Sequence, residues 1–251
     1  MSKKALGQYF TVDEDLQKFV FNTVRHKGQR LLEPSFGAGH LLRLFLACDP
    51  AYPMVCCELD KTVQPCVTFT DGQQVLHGDF MEMKFDQKFK TIVGNPPYVK
   101  KEKNKNLYLQ FIEKCLALLD VDGELIFIVP SDFLKLTSAC EILRKMVQEG
   151  SFTDFLFPEN ERLFDESVVD VVIFRYQKGI NTRICQRNGV GTEWELNMGI
   201  ITFNSSSASS VTIGSVFDCY VGFVSGRDEI FCNELGTLNL LCDKEKEKKF
   251  I

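Results

Sequence analysis

The feature of this sequence that most restricts its fold is the alternation of short apolar runs with amphipathic segments over residues 1–178. The apolar runs are rich in β-branched and aromatic residues and end at glycine, proline or polar turns, which is typical of buried strands. The segments between them carry apolar residues at helical spacing. Strands that alternate with helices predict an α/β protein with a mostly parallel sheet. The predicted strands are 30–34, 54–59, 75–77, 91–93, 124–129, 152–157 and 168–176, and the predicted helices are 13–26, 41–48, 107–119 and 138–149.

A glycine turn, Ser35–Gly39, lies between the first predicted strand and the helix that follows it. Ligands of such sheets bind at the carboxyl ends of the strands, and Gly37 and Gly39 let the backbone approach a ligand closely. Taken alone, the turn is more typical of plain packing. It differs from a dinucleotide fingerprint because it has two glycines rather than three and because Glu33 precedes them. A carboxylate at this position suits the ammonium of an amino-acid-like ligand better than a pyrophosphate.

Two further acidic residues end the next two predicted strands. Glu58 is placed to accept both hydroxyls of a ribose, as in nucleotide-binding α/β folds, and Asp79 is placed to accept from an adenine amino group. Each acid alone is better explained as a surface charge. Together with Glu33, however, they put three acids at the ends of successive strands behind a glycine turn. This arrangement fits an adenosyl ligand that carries an amino acid, so the sequence predicts S-adenosylmethionine as the cofactor.

The turn Asn95–Tyr98, with the sequence Asn-Pro-Pro-Tyr, follows the fourth predicted strand. Its two prolines fix the backbone and remove two amide donors, which leaves the Asn95 amide oxygen and the Pro96 carbonyl oxygen to accept hydrogen bonds. An adenine amino group held by these two oxygens loses conjugation with its ring and can attack a sulfonium methyl group in line. Tyr98 offers a ring on which the base can stack. No general base is needed before attack, so no catalytic histidine is assigned.

These motifs together resemble the gamma class of N6-adenine DNA methyltransferases, as in type II and type IIG restriction-modification systems. The segment Leu6–Thr11 is similar to the part of that family that completes the cofactor pocket. The resemblance implies an α/β, Rossmann-like seven-stranded S-adenosylmethionine-dependent methyltransferase sheet, mostly parallel with an antiparallel last strand, in a catalytic domain of residues 1–178. By position it assigns the cofactor to Thr11, Glu33, Gly37, Gly39, Glu58, Asp79 and Pro97, and the target adenine to Asn95, Pro96 and Tyr98.

The same resemblance implies that the target adenine leaves the duplex, which costs a few kcal/mol that stacking partly recovers. Phe164 precedes the last predicted strand, as does the family's second aromatic residue that sandwiches the flipped base; a core or loop aromatic is the alternative. Four lysines directly follow the catalytic turn and either meet phosphates beside the flipped base or form a solvated loop. These are Lys100, Lys101, Lys103 and Lys105.

Composition narrows the function further. A net charge of −5 and a pI near 5.4 count against a protein that coats DNA, but not against an enzyme with one local basic face. The ten cysteines are scattered without a CxxC pair, so we expect reduced thiols and no metal. Cys56 and Cys57 are adjacent in a strand and should point to opposite faces. No apolar run could span a bilayer and no signal peptide is apparent, which predicts a cytoplasmic protein without a membrane partner.

The region 179–251 resembles the start of a target-recognition domain but is short for a complete one. We therefore expect a reduced enzyme, a truncated chain, or a subunit that needs a separate recognition or restriction partner. Double-stranded DNA is the expected substrate.

Three alternatives remain open. An rRNA adenine N6-dimethyltransferase shares a segment like Lys3–Phe10, but usually has an aliphatic residue in place of Pro96. A protein glutamine N5-methyltransferase shares the Asn-Pro-Pro-Tyr turn, but lacks a segment like Gly7–Phe10. A catalytically silent methyltransferase-like subunit usually loses the turn, which is intact here. The fold cannot choose among them.

Overall fold

A computed structural model describes residues 11–99, 106–158 and 170–204. The chain divides into two units, Met1–Ser206 and Ser207–Ile251, and every described residue belongs to the first. Helices are α1 Glu14–Thr23, α2 Arg43–Cys48, α3 Leu107–Leu118 and α4 Cys140–Glu149, with 3₁₀ turns at His40–Leu42, Ser131–Leu134 and Thr137–Ala139. Strands are β1 Leu31–Glu33, β2 Met54–Glu58, β3 Gln73–His77, β4 Phe89–Gly94, β5 Leu119–Pro130, β6 Gly150–Leu156, β7 Val171–Lys178, β8 Ile184–Arg187, β9 Val190–Asn197 and β10 Ile200–Asn204.

The strands form one mixed sheet in the order β3-β2-β1-β4-β5-β7-β6-β8-β9-β10. Strands β1 to β5 pair in parallel, and β7 runs antiparallel to both β5 and β6. The α/β class and the antiparallel seventh strand are therefore confirmed. Because β5 and β6 both oppose β7, the carboxyl ends of β1 to β6 lie at one edge of the sheet. That edge carries the glycine turn and the catalytic turn.

Three strands extend the seven that the sequence predicted. β8 pairs in parallel with β6, and β9 and β10 continue from it as an antiparallel meander. Trp194 of β9 is buried, and its indole nitrogen donates to the carbonyl of Phe152 at 3.0 Å. The sheet thus continues past Lys178, the predicted end of the catalytic domain. The interpretation of 205–251 as part of a recognition region lies outside the described residues and stays a prediction.

The core occupies both faces of the sheet. One apolar cluster includes Leu32, Cys57 and residues of α3 and α4, and the other includes Leu31, Cys56 and residues of α1 and α2. Neighbouring residues of one strand thus enter different clusters, as the alternation of side chains along a strand requires. The predicted opposite orientation of Cys56 and Cys57 is confirmed.

The described cysteines are all free thiols, and four of the seven are buried. Burial raises the pKa of Cys57 to about 12 and raises that of Cys115 well above its usual range. The thiolate is the nucleophile and the metal ligand of cysteine chemistry, so these side chains act as small apolar residues.

The first helix begins as predicted but ends early. Its predicted range was 13–26, whereas α1 ends at Thr23. The amides of Arg25 and His26 donate to Oε1 of Glu124 at 3.0 and 2.9 Å. Glu124 lies about one hundred residues later and is fully buried in β5. This tertiary partner takes two amides that a longer helix would have used.

Candidate active site

The glycine turn closes onto the neighbouring strand. The amide of Gly37 donates to Oε2 of Glu58 at 2.9 Å, and the amide of Phe36 donates to the carbonyl of Cys57 at 3.0 Å. Gly37 and Gly39 have φ values of 55° and 82°, in the left-handed region that favours glycine. A Cβ on Gly39 would lie 2.8 Å from Cγ2 of Val67. The backbone conformation therefore favours glycine at both positions, and at Gly39 the space does so as well.

Glu33 ends β1 as a buried carboxyl group, 1% exposed. Its Oε1 accepts from the Ser35 amide at 3.3 Å, and no described group donates to Oε2. Burial raises the pKa of Glu33 well above its usual range, and the charge of Glu58 adds to this, although the Ser35 amide opposes it. A buried acid with a bare oxygen is costly without a partner. The ammonium group of a ligand is suited to supply that partner.

The carboxylate of Glu58 is 5% exposed at the end of β2. Besides the Gly37 amide, it accepts from the amide of Asp60 at 2.8 Å. Each carboxylate oxygen can accept two hydrogen bonds, so these backbone contacts are compatible with the ribose hydroxyls that the sequence assigned to this residue. The same carboxylate therefore fixes the glycine turn, and its assignment to the ribose stays a prediction.

Asp79 begins a tight turn after β3. Its Oδ1 accepts from the Met81 amide at 2.9 Å. The ammonium group of Lys114, on α3, donates to the carbonyls of Phe80, Met81 and Met83 at 2.5, 3.0 and 2.6 Å. Lys114 thus holds the turn that begins at Asp79. Burial lowers the pKa of Lys114, and neighbouring acidic groups oppose this.

The catalytic turn meets the glycine turn at one cavity. Asn95 donates from Nδ2 to Oγ1 of Thr11 at 3.1 Å, and its main-chain oxygen accepts from the Ser35 hydroxyl at 3.4 Å. Thr11, Glu33, Gly37 and Asn95, all predicted from sequence, line this cavity together with Ser35, Phe36, His40 and Leu41. Residues from both predicted sites are therefore neighbours in the fold.

Tyr98 is turned toward Asn95. Its hydroxyl lies 2.5 Å from Oδ1 of Asn95 and 3.0 Å from the carbonyl of Ile128 on β5. The ring is half-buried and packs against both apolar clusters. Pro96 is buried and Pro97 is half-buried. The hydroxyl contact, which the sequence analysis did not anticipate, fixes the amide of Asn95 between Tyr98 and Thr11.

Some predicted site residues lie outside the described residues. These are Phe164, Lys100 and Lys101, with Lys103 and Lys105 of the same lysine group. Their assigned roles stay predictions.

Besides the apolar Phe36 and Leu41 of the cavity lining, sequence reasoning missed three polar residues of this region, Ser35, His40 and Lys114. Ser35 and His40 line the cavity, but both are unremarkable within a turn. Lys114 carried a usable signal, because it is the one lysine in an otherwise mostly apolar helix, Leu107–Leu118. Such a lysine needs acceptors when it is drawn into the structure.

A sheet ordered 3-2-1-4-5-7-6, with a glycine turn after β1, acids that end β1 and β2 and an acid just after β3, defines the class of S-adenosylmethionine-dependent methyltransferases. S-adenosylmethionine is the methyl donor that this class implies, and the residues present fit it. Glu33, whose Oε2 has no donor among the described residues, lines the same cavity as the glycine turn. None of the described helices is long and apolar enough to cross a bilayer.

Comparison with known proteins gives the same class. Residues 68–164, which include Asp79 and the catalytic turn, match the family described as Eco57I restriction-modification methylase. The chain is 28% identical over 202 residues to the Type II methyltransferase M.HincII of Haemophilus influenzae, covering 72% of this chain and 39% of that protein. The chain thus spans about two fifths of the length of this relative. The predicted resemblance to restriction-modification methyltransferases is confirmed.

Solved structures share the fold at low sequence identity. A class I S-adenosylmethionine-dependent methyltransferase from Listeria monocytogenes, described as putative, superposes with a TM-score of 0.58 at 13% identity, covering 70% of this chain and 64% of that one. The methyltransferase subunit of a type I restriction-modification system from Streptococcus thermophilus gives a TM-score of 0.58 at 14% identity, covering 74% and 49%. These likenesses establish the fold of the catalytic sheet.

Proposed function

We propose that this chain is a DNA adenine N6-methyltransferase that transfers a methyl group from S-adenosylmethionine to a flipped-out adenine at a specific site. The observation that carries the proposal is the contact between Asn95 and Thr11 in the cavity that Glu33 lines. It brings an acceptor for an amino group beside the residues suited to the methyl donor. The similarity to the Type II methyltransferase M.HincII and the match to the Eco57I restriction-modification methylase family support DNA as the substrate.

The cofactor would be held by groups from three strand ends. Glu33 would bind its ammonium through Oε2, Glu58 its ribose hydroxyls, and Asp79 its adenine amino group. Thr11 and Pro97 would complete the pocket, and Gly37 and Gly39 would admit it close to the backbone. When bound, S-adenosylmethionine supplies an electrophilic methyl group on a sulfonium.

The target amino group would be oriented by the catalytic turn. Oδ1 of Asn95 accepts from the Tyr98 hydroxyl, and an amide oxygen has a second lone pair that can accept one amino hydrogen. The Pro96 carbonyl would accept the other hydrogen. With both hydrogens held, the nitrogen lone pair points out of conjugation and toward the methyl donor, which is a gain from orientation. The proton can leave after transfer, so the residues need not supply a base beforehand.

Target binding would involve more of the chain than the described residues. Phe164 would stack on the flipped adenine opposite Tyr98, and Lys100 and Lys101 would contact flanking phosphates. Because the chain spans about two fifths of the length of M.HincII, we infer that sequence recognition depends on the region 179–251, on further sequence, or on a separate recognition or restriction subunit. The enzyme would act in the cytoplasm, or wherever the DNA is.

The test is product analysis with deuterium-labelled S-adenosylmethionine, mixed-sequence duplex DNA and structured RNA, followed by mass spectrometry of the nucleosides. We expect labelled N6-methyladenine from DNA, lost in Asn95→Ala and retained in Asn197→Ala, an exposed asparagine of β9. Labelled N4-methylcytosine would show that the target base is cytosine and would overturn the assignment to adenine. Dimethyladenine from RNA would move the chain to the rRNA dimethyltransferases. No nucleoside product, with label in a protein glutamine, would move it to the protein methyltransferases.

A further inference from the structure

Arg187 ends β8 at the same edge of the sheet as the catalytic turn. β8 runs parallel to β6, with Arg187 paired to Phe155, and β6 runs in the same direction as β4 and β5. The carboxyl end of β8 therefore extends the edge that carries Asn95. Four strand steps separate β4 from β8, which corresponds to about 19 Å at the usual spacing between strands.

The guanidinium of Arg187 rests on two aromatic rings. Its central carbon lies 5.2 Å from the ring centroid of Phe157 and 4.8 Å from that of Phe203, and the two rings meet edge to face. The side chain is exposed, and no hydrogen bond or ion pair joins it to another described residue. Arg187 and Glu193 line one surface groove, but they do not form an ion pair. The rings therefore orient a guanidinium whose N–H groups face solvent.

The backbone beneath Arg187 is fastened to β6. The side chain of Asn188 accepts from the main-chain amide of Phe157 at 2.7 Å and donates to the carbonyl of Phe157 at 3.2 Å. The main-chain amide of Asn188 donates to the carbonyl of Phe155 at 2.9 Å. Asn188 and Gly189 then form the tight turn into β9, both with positive φ. This double attachment fixes Arg187 and Phe157 relative to each other, which lowers the entropy cost of binding a ligand there.

We propose that Arg187, with Phe157 and Phe203 beneath it, binds a backbone phosphate of the DNA substrate; this inference rests on the proposed function. We name these three residues the Arg187 shelf. A guanidinium presents a planar fork of donors that matches a phosphate. The chain carries a net charge of −5, so DNA is attracted only where a cation stands at the substrate edge. At about 3.4 Å per nucleotide, a span of about 19 Å places this phosphate about five or six nucleotides from the flipped base.

Arg183 provides a matched control on the same strand. It immediately precedes β8, and its guanidinium carbon lies 4.6 Å from the ring centroid of Trp194. It is exposed like Arg187, but four residues separate the two, which is about 13 Å along a strand and toward the opposite sheet edge. Arg183→Gln and Arg187→Gln thus remove the same charge and the same kind of ring contact.

The experiment measures binding of a labelled mixed-sequence duplex to the 251-residue chain across a series of salt concentrations, alongside methylation of the same duplex. We expect Arg187→Gln to weaken binding by about tenfold at low salt and to reduce the slope of log affinity against log salt by about one. It should raise KM for DNA and leave kcat unchanged. Arg183→Gln should leave the slope unchanged, and Arg187→Lys should keep the slope while weakening binding.

The outcomes separate this inference from the proposed function. If the wild type methylates DNA and the two glutamine variants have equal slopes, the shelf is overturned and the function stands. If the wild type methylates an RNA adenine or a protein glutamine but not DNA, and only Arg187→Gln changes the slope of DNA binding, the shelf is supported and the proposed function is overturned. A wild type that binds no DNA at low salt overturns the shelf. Melting temperatures equal to wild type would show that the variants are folded.

Discussion

The amide of Gly37 donates to Oε2 of Glu58 at 2.9 Å, so the glycine turn after β1 is fixed by the acid that ends β2. This bond couples two elements of the proposed cofactor site. It leaves the turn dependent on a backbone that only glycine adopts easily, at Gly37 and again at Gly39.

Gly39→Ala should disrupt cofactor binding, whereas Gly28→Ala should not. Both glycines have similar positive φ, 82° and 75°, so each substitution costs about 1–2 kcal/mol of backbone strain. A Cβ at Gly39 also meets Val67 at 2.8 Å, whereas a Cβ at Gly28 meets nothing within 4 Å. We expect calorimetry to show at least about a tenfold loss of S-adenosylmethionine affinity for Gly39→Ala alone. Equal losses would mean that strain, not the shape of the turn, governs binding.

Glu33→Gln should weaken cofactor binding, and it should also remove the loss of folding stability that the cofactor-free protein suffers as pH rises. Loss of a charged hydrogen bond costs about 1.5–3 kcal/mol, which is about ten- to a hundredfold in affinity. The raised pKa of Glu33 means that the folded state holds this proton more tightly than the unfolded chain. Wild-type stability should therefore fall as pH rises above the ordinary pKa of a glutamic acid, 4.5, until the raised pKa of the folded state is passed.

Melting temperatures across pH, with and without S-adenosylmethionine, test this prediction. In the absence of cofactor, the melting temperature of Glu33→Gln should rise relative to that of the wild type as pH rises through that window. Saturating cofactor should make the wild type the more stable of the two. Glu195→Gln, an exposed acid of β9, should follow the wild type. A constant difference across pH would show that Glu33 is not the buried acid responsible.

Substitutions at Tyr98 should distinguish the contribution of its hydroxyl to catalysis from the contribution of its ring. Tyr98→Phe loses the donor to Asn95 but keeps a stacking surface, so we expect kcat to fall by about tenfold, the value of one hydrogen bond, with KM for DNA unchanged. Tyr98→Ala should also lose base stacking of about 1–3 kcal/mol. Steady-state kinetics distinguish the two. The control is Tyr108→Phe, which removes the hydroxyl of a neighbouring buried ring 6.3 Å away. Identical kinetics for both Tyr98 variants would exclude stacking on this ring.

Lys114→Met should weaken binding of adenosine and S-adenosylmethionine by the same factor. The side chain donates to three carbonyls of the turn that begins at Asp79, so its loss should disturb the part of the site that binds the adenine of the ligand. We expect the affinity to fall by about tenfold, which corresponds to the free energy of one charged hydrogen bond. Glu33→Gln should impair only the ligand that carries an ammonium. This contrast identifies Lys114 as a positioning residue.

Lys178→Met serves as the control for Lys114. Lys178 donates to the carbonyl of Leu116 and pairs with Glu149, away from the site. Its loss should lower the melting temperature without changing either affinity. If Lys114→Met behaves in the same way, or if Lys114→Arg fails to restore binding, the role of Lys114 is structural.

Much of the fold follows from local sequence. Most apolar runs of β1 to β7 are buried on both faces of the sheet, so these strands can be predicted from the runs without knowledge of their partners. The edge strand β3 is the exception, because Gln74 and His77 are exposed. Strands β8 to β10 were missed because one face of each is exposed. In β9, Val190–Asn197, the burial alternates and Glu193 and Glu195 face solvent. A segment with such a weak alternating pattern forms a strand because the edge of β6 is available for β8 to pair with.

The chemistry of the site divides in the same way. Sequence by itself determined the glycine turn, the proline-fixed catalytic turn and the order of the acids, because backbone restriction and the end of a strand are properties of contiguous residues. Tertiary structure alone decided that Oε2 of Glu33 has no donor among the described residues, that Lys114 reaches a turn more than thirty residues away, and that Arg187 lies at the sheet edge that carries Asn95. These facts depend on burial and on partners distant in the chain, which no local pattern records.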